Sequence, residues 1–383
     1  MNLELNAEQA AVRQLAKDFV DREVAPHVTE WDRAEQVDRG IVKTLGDLGF
    51  LGLTIPEEYG GSGGDHFAYA LVTEELGRGD SSVRGIVSVS LGLVAKSIAA
   101  WGNEEQKQQW LPRLTSGEAL GCFGLTEPGT GSDAGNLTTK AVRDGGDWVI
   151  NGTKMFITNG TWADVVLLFA RTGAEPGHKG VSAFLVPTDT PGLSRREIHG
   201  KLGLRGQATA ELVLEDVRVP ASAMIAPEGK GFSVAMSALA KGRMSVAAGC
   251  VGIAQAALDA AVGYAGERDQ FGKSIAHHQL VQELLADIAL DVDAARLLTW
   301  RVADLIDRGK PFVTEASKAK LFASEAAVRC ANNALQVFGG YGYIDEYPVG
   351  KLVRDARVMT LYEGTSQIQK LLIGRALTGV SAF

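Results

Sequence analysis

Cysteines are few in this 383-residue sequence, and they are widely separated. Cys122, Cys250 and Cys330 are odd in number and form no CxxC pair. The sequence therefore predicts neither a disulfide framework nor a cysteine-based zinc site. We expect all three to be small buried hydrophobic residues. The six histidines form no HExxH motif or other spaced ligand set, so we expect no metal site.

An excess of basic residues is also missing. Lysine and arginine together number 38, against 46 aspartates and glutamates, which gives a net charge of −8. Proteins that bind nucleic acid usually carry a basic surface, so this balance argues against that class. An acidic total still allows a local basic pocket for an anionic ligand.

A long and strongly apolar run is the third feature that the sequence lacks. The best candidate, residues 244–265, has only Ser245, Gln255 and Asp259 as polar side chains, but most of its other residues are alanine and glycine. Small residues contribute little to transfer into lipid, so we expect a helix buried in a bundle by their close approach. The N-terminal segment lacks the basic and then apolar layout of a signal peptide. These features predict a soluble protein.

Hydrophobic periodicity predicts that the first third of the chain is helical. Asn6 and Gln9 fit a capping box, and Pro26 is expected to close the first helical run. The predicted buried face of that run consists of Val12, Leu15, Ala16, Phe19 and Val20. Further helices are predicted at about residues 68–76 and 87–101, and another begins after Asn103.

Around residue 120 the period changes from helical to alternating. Residues 138–143 and 148–150, joined by a turn at 144–147, predict a hairpin. Asn151-Gly152 and Asn159-Gly160 predict two further turns. Other strands are predicted at 165–170, at 181–186 before Pro187, and at 210–219 before Pro220. Clustered strands without intervening helices favour an antiparallel sheet or barrel.

From residue 231 onward the pattern is helical again. Between Val281 and Ile306 apolar residues recur every three or four positions, which predicts a long helix in a bundle. The sequence therefore predicts an α+β, mainly α fold. Its three parts are an N-terminal helical domain (1–120), a central antiparallel β-barrel-like domain (121–228) and a C-terminal four-helix bundle (229–383).

A glycine-rich segment at 129–134 (GTGSDA) formally matches the GxGxxG/A fingerprint of dinucleotide-binding proteins. That fingerprint needs a preceding strand and a following helix within a βαβ unit. Here the segment follows Glu127-Pro128 and leads into the predicted hairpin, so we reject a Rossmann fold. The loop remains a cofactor candidate, because it can place backbone N–H groups against an anion or a ring.

Five sequence blocks, in order, resemble the acyl-CoA dehydrogenase family over essentially the whole chain. They lie at 123–134 (FGLTEPGTGSDA), 156–158 (FIT), 268–272 (RDQFG), 336–340 (QVFGG) and 362–365 (YEGT). The helix–β–helix plan agrees with this resemblance. The later part of the chain, including 295–301 (ARLLTWR), is most similar to the short-chain and short branched-chain members.

The family's reaction removes a proton from Cα of an acyl-CoA thioester and transfers a hydride from Cβ to N5 of FAD. Because the α-proton is weakly acidic, a carboxylate base needs hydrogen-bond donors that stabilise the developing enolate. The resemblance implies that Glu363 is the base. It also implies that the backbone N–H of Glu363 and a ribityl hydroxyl of FAD are the donors.

The residues around Glu363 are compatible with this role. Ser366 and Gln369 suit a capping box for a following helix, which places Glu363 on a turn that Gly364 permits. On these residues alone, a surface carboxylate stabilised by the helix dipole is the simpler interpretation. The match of the whole 362–369 block (YEGTSQIQ) favours the catalytic role.

The resemblance also implies a set of FAD contacts, partly to the FAD of a neighbouring subunit. Thr126 would bond the edge of the flavin ring, and Arg268 suits a pyrophosphate because its planar fork can bond two oxygens. Many members have tryptophan at the position of Phe156, so that ring contact differs here. The implied cofactor residues are Phe123, Leu125, Thr126, Gly131, Ser132, Phe156, Ile157, Thr158, Arg268, Phe271, Gln279, Gln336, Val337, Gly339, Gly340, Thr365 and Gln367.

Substrate contacts follow from the same resemblance. Short-chain members often have an acid at the position of Ala240, which puts that contact in doubt. The isovaleryl-CoA dehydrogenases place their base one residue before an arginine that matches Arg243. Here that position is Gly242, which cannot act as a base. The implied substrate residues are Ser132, Ala240, Gly242, Arg243, Tyr362 and Gly364.

The resemblance implies an FAD-dependent homotetramer, a dimer of dimers, that acts in fatty acid β-oxidation. It would convert a short-chain acyl-CoA to the trans-2-enoyl-CoA and pass electrons to electron-transfer flavoprotein. One alternative keeps the chemistry on a 2-methyl-branched acyl-CoA or a biosynthetic carrier-protein thioester. Less favoured alternatives are an oxidase reoxidised by O₂ and a non-catalytic helical scaffold. The expected location is a bacterial cytoplasm, or the mitochondrial matrix for a processed form.

Overall fold

A β-sheet lies between two helical regions along the chain, as the change in hydrophobic period predicts. The computed structural model describes residues 4–175 and 177–381. Helices account for 58% of the described residues, which confirms the mainly helical fold class. The three cysteines are free and buried, as expected. The domain limits at 120/121 and 228/229 stay predictions.

The helices of the first region begin where the sequence offers a capping residue. In the two capping boxes, Asn6 Oδ1 accepts from Gln9 N (2.8 Å) and Asn103 Oδ1 accepts from Gln106 N (2.8 Å). Each glutamine bonds back to the asparagine N–H, so two otherwise free backbone donors are satisfied. The helices are α1 (Ala7–Phe19), α2 (Val28–Ala34), α3 (Ile41–Asp47), α4 (His66–Gly79), α5 (Ser81–Val89), α6 (Lys96–Trp101) and α7 (Glu104–Thr115).

The first helical run differs from the prediction in two details. Leu15 is 43% exposed, so the buried face is narrower than the periodicity predicts and centres on Ala16, Phe19 and Val20. The run also continues past Pro26, through a π-helical stretch (Val20–Val24) and a 3-10 turn (Ala25–His27) into α2. Pro26 is tolerated because it stands in the first turn of the 3-10 segment, where a backbone N–H would make no hydrogen bond within the helix.

Helix α5 starts at Ser81 rather than near residue 87. Asp80 Oδ1 accepts hydrogen bonds from the backbone N–H groups of Ser82 (2.6 Å) and Val83 (3.1 Å) and so caps the helix early. A π-helical stretch, Ser90–Ala95, joins α5 to α6. All of α5 and the stretch after it are buried.

The central region forms an eight-stranded sheet in the described residues. The strand order is β6-β7-β3-β2-β4-β5-β8, and β1 pairs with β4. The end strands β6 and β8 are not paired with each other, so the predicted barrel is not closed. Most strand pairs are antiparallel, as predicted, whereas the pairs β1–β4 and β2–β4 are parallel. The strands are β1 (Gly121–Gly124), β2 (Lys140–Asp144), β3 (Asp147–Thr158), β4 (Val165–Arg171), β5 (Val181–Pro187), β6 (Leu193–Glu197), β7 (Thr209–Pro220) and β8 (Met224–Ile225).

Strands β2 and β3 form the predicted hairpin, and its continuation shows why one turn prediction is wrong. Asn151-Gly152 lies inside β3, where the register with β7 shifts between Ile150 and Gly152. Gly152 has φ +153°, so the dipeptide makes a β-bulge instead of a turn. Asn159-Gly160 does form a turn at the end of β3, with Asn159 at φ +63°.

The last region consists of long helices that pack on one another. Helices α8, α9 and α10 are in mutual contact, α11 packs on α8 and α10, and α4 of the first region packs on α8 and α9. On α9 the predicted face is confirmed, because Ile288, Val292, Ala295 and Val302 are fully buried. The elements are α8 (Gly231–Glu267), β9 (Asp269–Gln270), β10 (Lys273–Ser274), α9 (Gln279–Asp307), α10 (Val313–Phe338), α11 (Val349–Met359) and α12 (Ser366–Thr378).

Helix α8 packs through small residues, as predicted for 244–265. A Cβ built on Gly77 of α4 would lie 2.6 Å from the carbonyl oxygen of Gly249, which leaves no room for a side chain. The segments Ser81–Trp101 and Gly231–Glu267 are long and apolar enough to span a membrane by composition alone. Their most apolar windows are 89% and 61% buried inside the protein, as in core helices.

The α4–α8 contact predicts that Gly77→Ala destabilises the protein, although alanine favours helices more than glycine. The new methyl group meets backbone that cannot rotate away, so we expect a loss of about 1–3 kcal/mol in the free energy of unfolding. Gly263→Ala, on the solvent side of α8 with no atom within 4 Å of its Cβ, is the control and should gain up to about 1 kcal/mol. Urea unfolding measures both, and equal effects would contradict the prediction.

Candidate active site

Glu363 lies on a tight turn between α11 and α12. Its φ is +52° and that of Gly364 is +96°, a left-handed conformation that is costly for a residue with a side chain. Gln369 Nε2 donates to the carbonyl oxygens of Glu363 (3.3 Å) and Gly364 (3.1 Å). Lys320 Nζ donates to the Gly364 carbonyl (2.8 Å). These hydrogen bonds hold the turn in its strained shape.

The cap of α12 is one residue earlier than the sequence predicts. Thr365 Oγ1 accepts from Ile368 N (3.2 Å), so Thr365 is the N-cap. Ser366 instead donates its hydroxyl to Glu325 Oε1 (2.6 Å). The predicted Ser366–Gln369 box does not form, because Gln369 bonds the carbonyls of the preceding turn.

The carboxylate of Glu363 points into the protein. Its Oε2 is buried and has no hydrogen-bond partner within the described residues. A Cβ built on Gly242 of α8 would overlap this oxygen, and it would lie 3.1 Å from Leu93 Cδ2. The carboxylate therefore fills the space that glycine leaves at position 242, and the interpretation as a surface carboxylate is wrong.

Burial and nearby cations act on the Glu363 carboxyl in opposite directions. Burial raises its pKa, because a charged carboxylate loses hydration in the protein interior. The charges of Arg84, Lys320 and Arg243 oppose this and lower the pKa. The group is thus a carboxylate with increased proton affinity, which suits a base that must accept a weakly acidic proton.

The backbone N–H of Glu363 is available to a ligand. Across residues 4–175 and 177–381, no oxygen accepts a hydrogen bond from it. A free N–H beside a buried carboxylate is the pair of groups that enolate formation needs: one accepts a proton, and the other stabilises a developing oxyanion.

The structure brings some of the predicted substrate residues to Glu363 and not others. Gly242 contacts its carboxylate, and Tyr362 and Gly364 flank it in the chain. Arg243 is buried, its Nε has no partner in the described part of the chain, and its charge acts on Glu363. Ala240 is buried on a different face of α8, two residues before Gly242, and Ser132 is exposed in the glycine-rich loop.

A buried ion pair anchors the glycine-rich loop to β3. Glu127, at the start of the loop, accepts from Lys154 Nζ (2.8 Å), Thr138 N (2.6 Å) and Thr139 N (2.9 Å). Burial alone would raise the pKa of Glu127, but Lys154 and these hydrogen bonds bring it to about 2. Burial lowers the pKa of Lys154 to about 8, so both groups are charged at neutral pH.

The residues predicted to contact the flavin ring lie before and after the Glu127–Lys154 ion pair, in β1, in the glycine-rich loop and at the end of β3. Phe123 is half-buried in β1, Leu125 is buried, and Thr126 O accepts from Met155 N (2.9 Å). Gly131 is exposed, and a Cβ there would meet no atom within 4 Å. On β3, Ile157 is buried and Thr158 half-buried, whereas Phe156 is 67% exposed at φ +60°.

A second group of predicted cofactor residues meets at the far end of α8. Arg268, Val337, Gly339 and Gly340 line one groove, and the Arg268 guanidinium lies 5.4 Å from the centre of the Tyr341 ring. Phe271 (93% exposed), Gln279 and Gln336 are exposed beside these segments. Arg268, at the edge of this groove, is roughly 39 Å along α8 from Gly242, given a rise of about 1.5 Å per residue. The remaining cofactor residues are Thr365, whose hydroxyl caps α12, and Gln367, which is exposed.

The chemistry of these residues fits a flat aromatic group with an anionic tail. The loop offers open backbone at Gly131, and Phe156 offers an exposed aromatic face. The distant groove offers an arginine and two glycines that let a ligand approach the backbone. In the described part of the chain, no group of three or more His, Cys, Asp or Glu is arranged to hold a metal ion.

Sequence reasoning missed several residues that shape this site. Lys154 falls on the inward-facing side of β3, with Trp148 and Ile150, so the alternation marks it as a buried cation. Arg84 stands in the apolar run of α5, which is a similar signal. Lys320 is fully buried on α10, and its bond to the Gly364 carbonyl connects residues 44 positions apart, which no local pattern shows.

Comparison with known proteins gives the same assignment over the whole chain. Three family models match: the acyl-CoA dehydrogenase N-terminal domain at residues 6–118, the middle domain at 122–217 and the C-terminal domain at 229–378. The mitochondrial short-chain specific acyl-CoA dehydrogenase of Bos taurus is 45% identical and covers 97% of this chain and 90% of its own length. Butyryl-CoA dehydrogenase from Megasphaera elsdenii has a TM-score of 0.96 at 41% identity, covering 98% of this chain and all of its own. A chain from a structural study of the electron transferring flavoprotein of Acidaminococcus fermentans has a TM-score of 0.97 at 42% identity, covering 99% and 100%.

The loop anchor predicts that Glu127→Gln destabilises the fold, because it leaves the Lys154 ammonium buried without a counter-charge. We expect a loss of about 3–5 kcal/mol in the free energy of unfolding. Asp144→Asn, which breaks the exposed pair with Arg218, is the control and should cost less than about 1 kcal/mol.

The same ion pair predicts a pH dependence of the unmodified protein. The contribution of Glu127 to the free energy of unfolding is complete above its ordinary pKa of 4.5 and is lost as the pH falls toward 2. Denaturant titrations at several pH values measure both effects, and equal losses in the two variants would refute the anchor.

Proposed function

The chain belongs to the acyl-CoA dehydrogenase family, and we propose that it oxidises a short-chain acyl-CoA to the trans-2-enoyl-CoA with Glu363 as the base. Membership of the family makes it an oxidoreductase whose cofactor is FAD. The observation that carries the proposal is the Glu363 carboxylate, whose buried Oε2 has no hydrogen-bond partner in residues 4–175 and 177–381, together with a backbone N–H on the same residue that also has none there.

In this proposal Glu363 supplies two of the groups that the reaction needs. Its carboxylate accepts the proton from Cα of the thioester, and its N–H donates to the thioester carbonyl oxygen. Burial raises the pKa of the Glu363 carboxyl and so makes it a stronger base, and the charges of Arg84, Lys320 and Arg243 partly oppose this rise. When bound, FAD supplies the acceptor for the hydride that leaves Cβ.

The two separated groups of cofactor residues support a shared site between subunits. Thr126, Gly131 and Phe156 would hold the ring of one FAD, together with Ile157 and Thr158. Because the groove at Arg268 and Gly339–Gly340 lies at the other end of α8, it would receive the FAD of a neighbouring subunit. This arrangement requires at least a pair of subunits, as the predicted dimer of dimers contains. Electron transfer flavoprotein is the proposed acceptor of the electrons, in keeping with the family.

The short acyl group rests on the similarity to short-chain specific and butyryl-CoA dehydrogenases. A 2-methyl-branched acyl-CoA and a carrier-protein thioester remain alternatives for the same chemistry. The cytoplasmic location stays a prediction.

Removal of the base tests the assignment. Glu363→Gln keeps the size of the side chain but removes its proton affinity, so we expect FAD to stay bound while turnover falls by about 10²–10⁴-fold. The measurement is anaerobic bleaching of the flavin band with a panel from propionyl-CoA to octanoyl-CoA, plus isobutyryl-, 2-methylbutyryl- and isovaleryl-CoA. In the unmodified protein the bleaching rate should fall as the pH drops through the raised pKa of Glu363, because the protonated carboxyl accepts no proton.

Bleaching of the unmodified protein by one or two of these thioesters would identify the acyl group. Substantial bleaching of the Glu363→Gln protein would overturn the assignment of the base. A flavin that no thioester in the panel reduces would point to a carrier-bound or otherwise specialised acyl group.

The space at Gly242 gives a second, more local test. In Gly242→Ala the new methyl group would overlap Oε2 of Glu363, and the carboxylate, at the end of a flexible side chain, is the atom group that moves. We expect unchanged or slightly higher stability, since alanine favours the helix, but about 100-fold slower flavin bleaching, because a shift of roughly 1 Å misplaces the base. Gly263→Ala serves as the control on the same helix. Full activity of Gly242→Ala would show that the base is not held at this position.

A further inference from the structure

Lys320, on α10, is a fully buried cation whose ammonium bonds backbone instead of a carboxylate. Its Nζ donates to the carbonyl oxygen of Gly364 (2.8 Å), and no Asp or Glu oxygen of the described residues lies within ion-pair distance of it. Lys154, which is as deeply buried, pairs with Glu127 at 2.8 Å. An ammonium in the interior without a nearby counter-charge is costly. Because such costs are concentrated at functional sites, the place of this charge points to a role beyond packing.

The carbonyl that Lys320 bonds belongs to the turn of Glu363. Glu363 has φ +52°, which a residue with a side chain does not favour. The Gly364 carbonyl accepts two hydrogen bonds, from Lys320 Nζ (2.8 Å) and from Gln369 Nε2 (3.1 Å). The bond from Lys320 is shorter and its donor is charged, which makes it the stronger of the two. Since a peptide group is planar, holding this carbonyl restricts rotation of the chain at Gly364 and, through it, the direction of the Glu363 side chain.

A second side chain of α10 contacts the residues that follow the turn. Glu325 Oε1 accepts from the hydroxyl of Ser366 (2.6 Å), two residues after Gly364. Helix α10 is 26 residues long, and it contacts the chain on both sides of Thr365, the N-cap of α12. A group supported by a long helix is positioned more precisely than one supported by a loop. The turn itself is a loop, and α10 supplies the support that it lacks.

The protonation of Lys320 depends on its burial and on the groups around it. Burial lowers the pKa of Lys320 to about 8. The groups that act on it are Cys250, Glu363 and Glu325, which raise the pKa, and Arg243, which lowers it. Burial raises the pKa of the Cys250 thiol to about 12, so the thiol stays uncharged where Lys320 titrates. Lys320 therefore changes from a charged to a neutral donor within a pH range in which the protein can be assayed.

Building on the proposed function, we propose that Lys320 is a positioning residue, whose ammonium fixes the turn so that the carboxylate and the N–H of Glu363 meet one thioester. It acts through the Gly364 carbonyl and not on the reacting atoms. The protonated form is the effective one, because a charged donor bonds a carbonyl more strongly than a neutral amine does. A misplacement of the base by about 1 Å is enough to slow proton removal about 100-fold.

Two other roles for Lys320 predict different results. If Lys320 only stabilises the fold, its removal lowers the melting temperature and the FAD content. If its charge only opposes the effect of burial on the pKa of Glu363, its removal shifts the acidic limb of the pH profile upward and leaves the maximal rate of proton removal unchanged. Positioning predicts a lower maximal rate in a protein that is still folded.

Proton removal can be measured separately from oxidation. The FAD-loaded protein is mixed with 3-thiahexanoyl-CoA that carries deuterium at C2. Because the sulfur at position 3 carries no hydrogen, no hydride can leave from it, and the base exchanges the deuterium for a solvent proton without net reaction. Mass spectrometry of the thioester follows the loss of deuterium. Its concentration dependence gives the maximal rate and the half-saturating concentration separately.

Lys320→Met removes the ammonium and keeps most of the length of the side chain. We expect the maximal exchange rate to fall about 100-fold and the half-saturating concentration to change less than about twofold, because Lys320 does not contact the thioester. The melting temperature should stay equal or rise, since the variant removes a buried charge without a counter-charge. Lys318→Met is the matched control on the same helix. Its ammonium is 38% exposed and bonds Glu315 (3.3 Å), so we expect little change in rate or stability.

The pH profile gives a readout that packing alone does not change. In the unmodified protein the exchange rate should fall as the pH rises through the Lys320 pKa of about 8. Arginine stays protonated throughout this range, so Lys320→Arg should keep part of the rate and lose the alkaline fall. Lys154 also has a pKa of about 8, and the comparison with Lys320→Arg therefore assigns the fall to one lysine or the other.

The outcomes separate this inference from the proposed function. An unchanged maximal rate in Lys320→Met, or an alkaline fall that is absent or persists in Lys320→Arg, overturns the inference while the proposed function stands. A slower Lys320→Met that also melts lower and loses FAD assigns Lys320 to the fold and overturns it as well. Should Lys320→Met not fold, the pH profile of Lys320→Arg decides the question. If exchange survives in Glu363→Gln, or the unmodified protein shows none, the proposed function fails and this inference fails with it.

Discussion

The absence of side chains at three points on α8 is the constraint on which the site depends. Gly242 leaves the space that the Glu363 carboxylate occupies, Gly249 lies against the Arg84 side chain, and Gly252 lies against the backbone of Glu74. A methyl group at any of these positions would meet a polar group or backbone that the fold places there. The same small residues that allow tight helix packing therefore also make room for buried charges beside Glu363.

Local signals in the sequence were enough to predict most helices and strands, but not the irregularities within them. The Asn6 box, the β2–β3 hairpin and the α9 face depend on neighbours in the chain, so they could be predicted. The bulge at Gly152 could not, because it depends on the register with a strand about 60 residues later. The family resemblance predicted Glu363, whereas the roles of Arg84, Lys154 and Lys320 depend on burial and on partners that only the folded chain brings together.

Two kinds of electrostatic arrangement coexist within this one fold. The glycine-rich loop is fixed by a closed arrangement, in which the charge of Lys154 and the acceptors of Glu127 are fully used. Around Glu363 the arrangement is open, because buried atoms of Glu363, Arg84 and Arg243 have no hydrogen-bond partner among the residues that the structure describes. The closed arrangement holds the glycine-rich loop in place, and the open one leaves hydrogen-bonding and charge capacity around Glu363 unused.

The π-helical stretch at Ser90–Ala95 has a consequence for how such a site can diverge. Wider i→i+5 bonding accommodates one residue more than a regular helix of the same length, and one residue rotates all later side chains by about 100°. Gain or loss of a single codon here would therefore turn Lys96 and the rest of α6 to a different face while leaving Arg84 and Ser88 in place. Related proteins could thus present a different face of α6 to their interior after one genetic step.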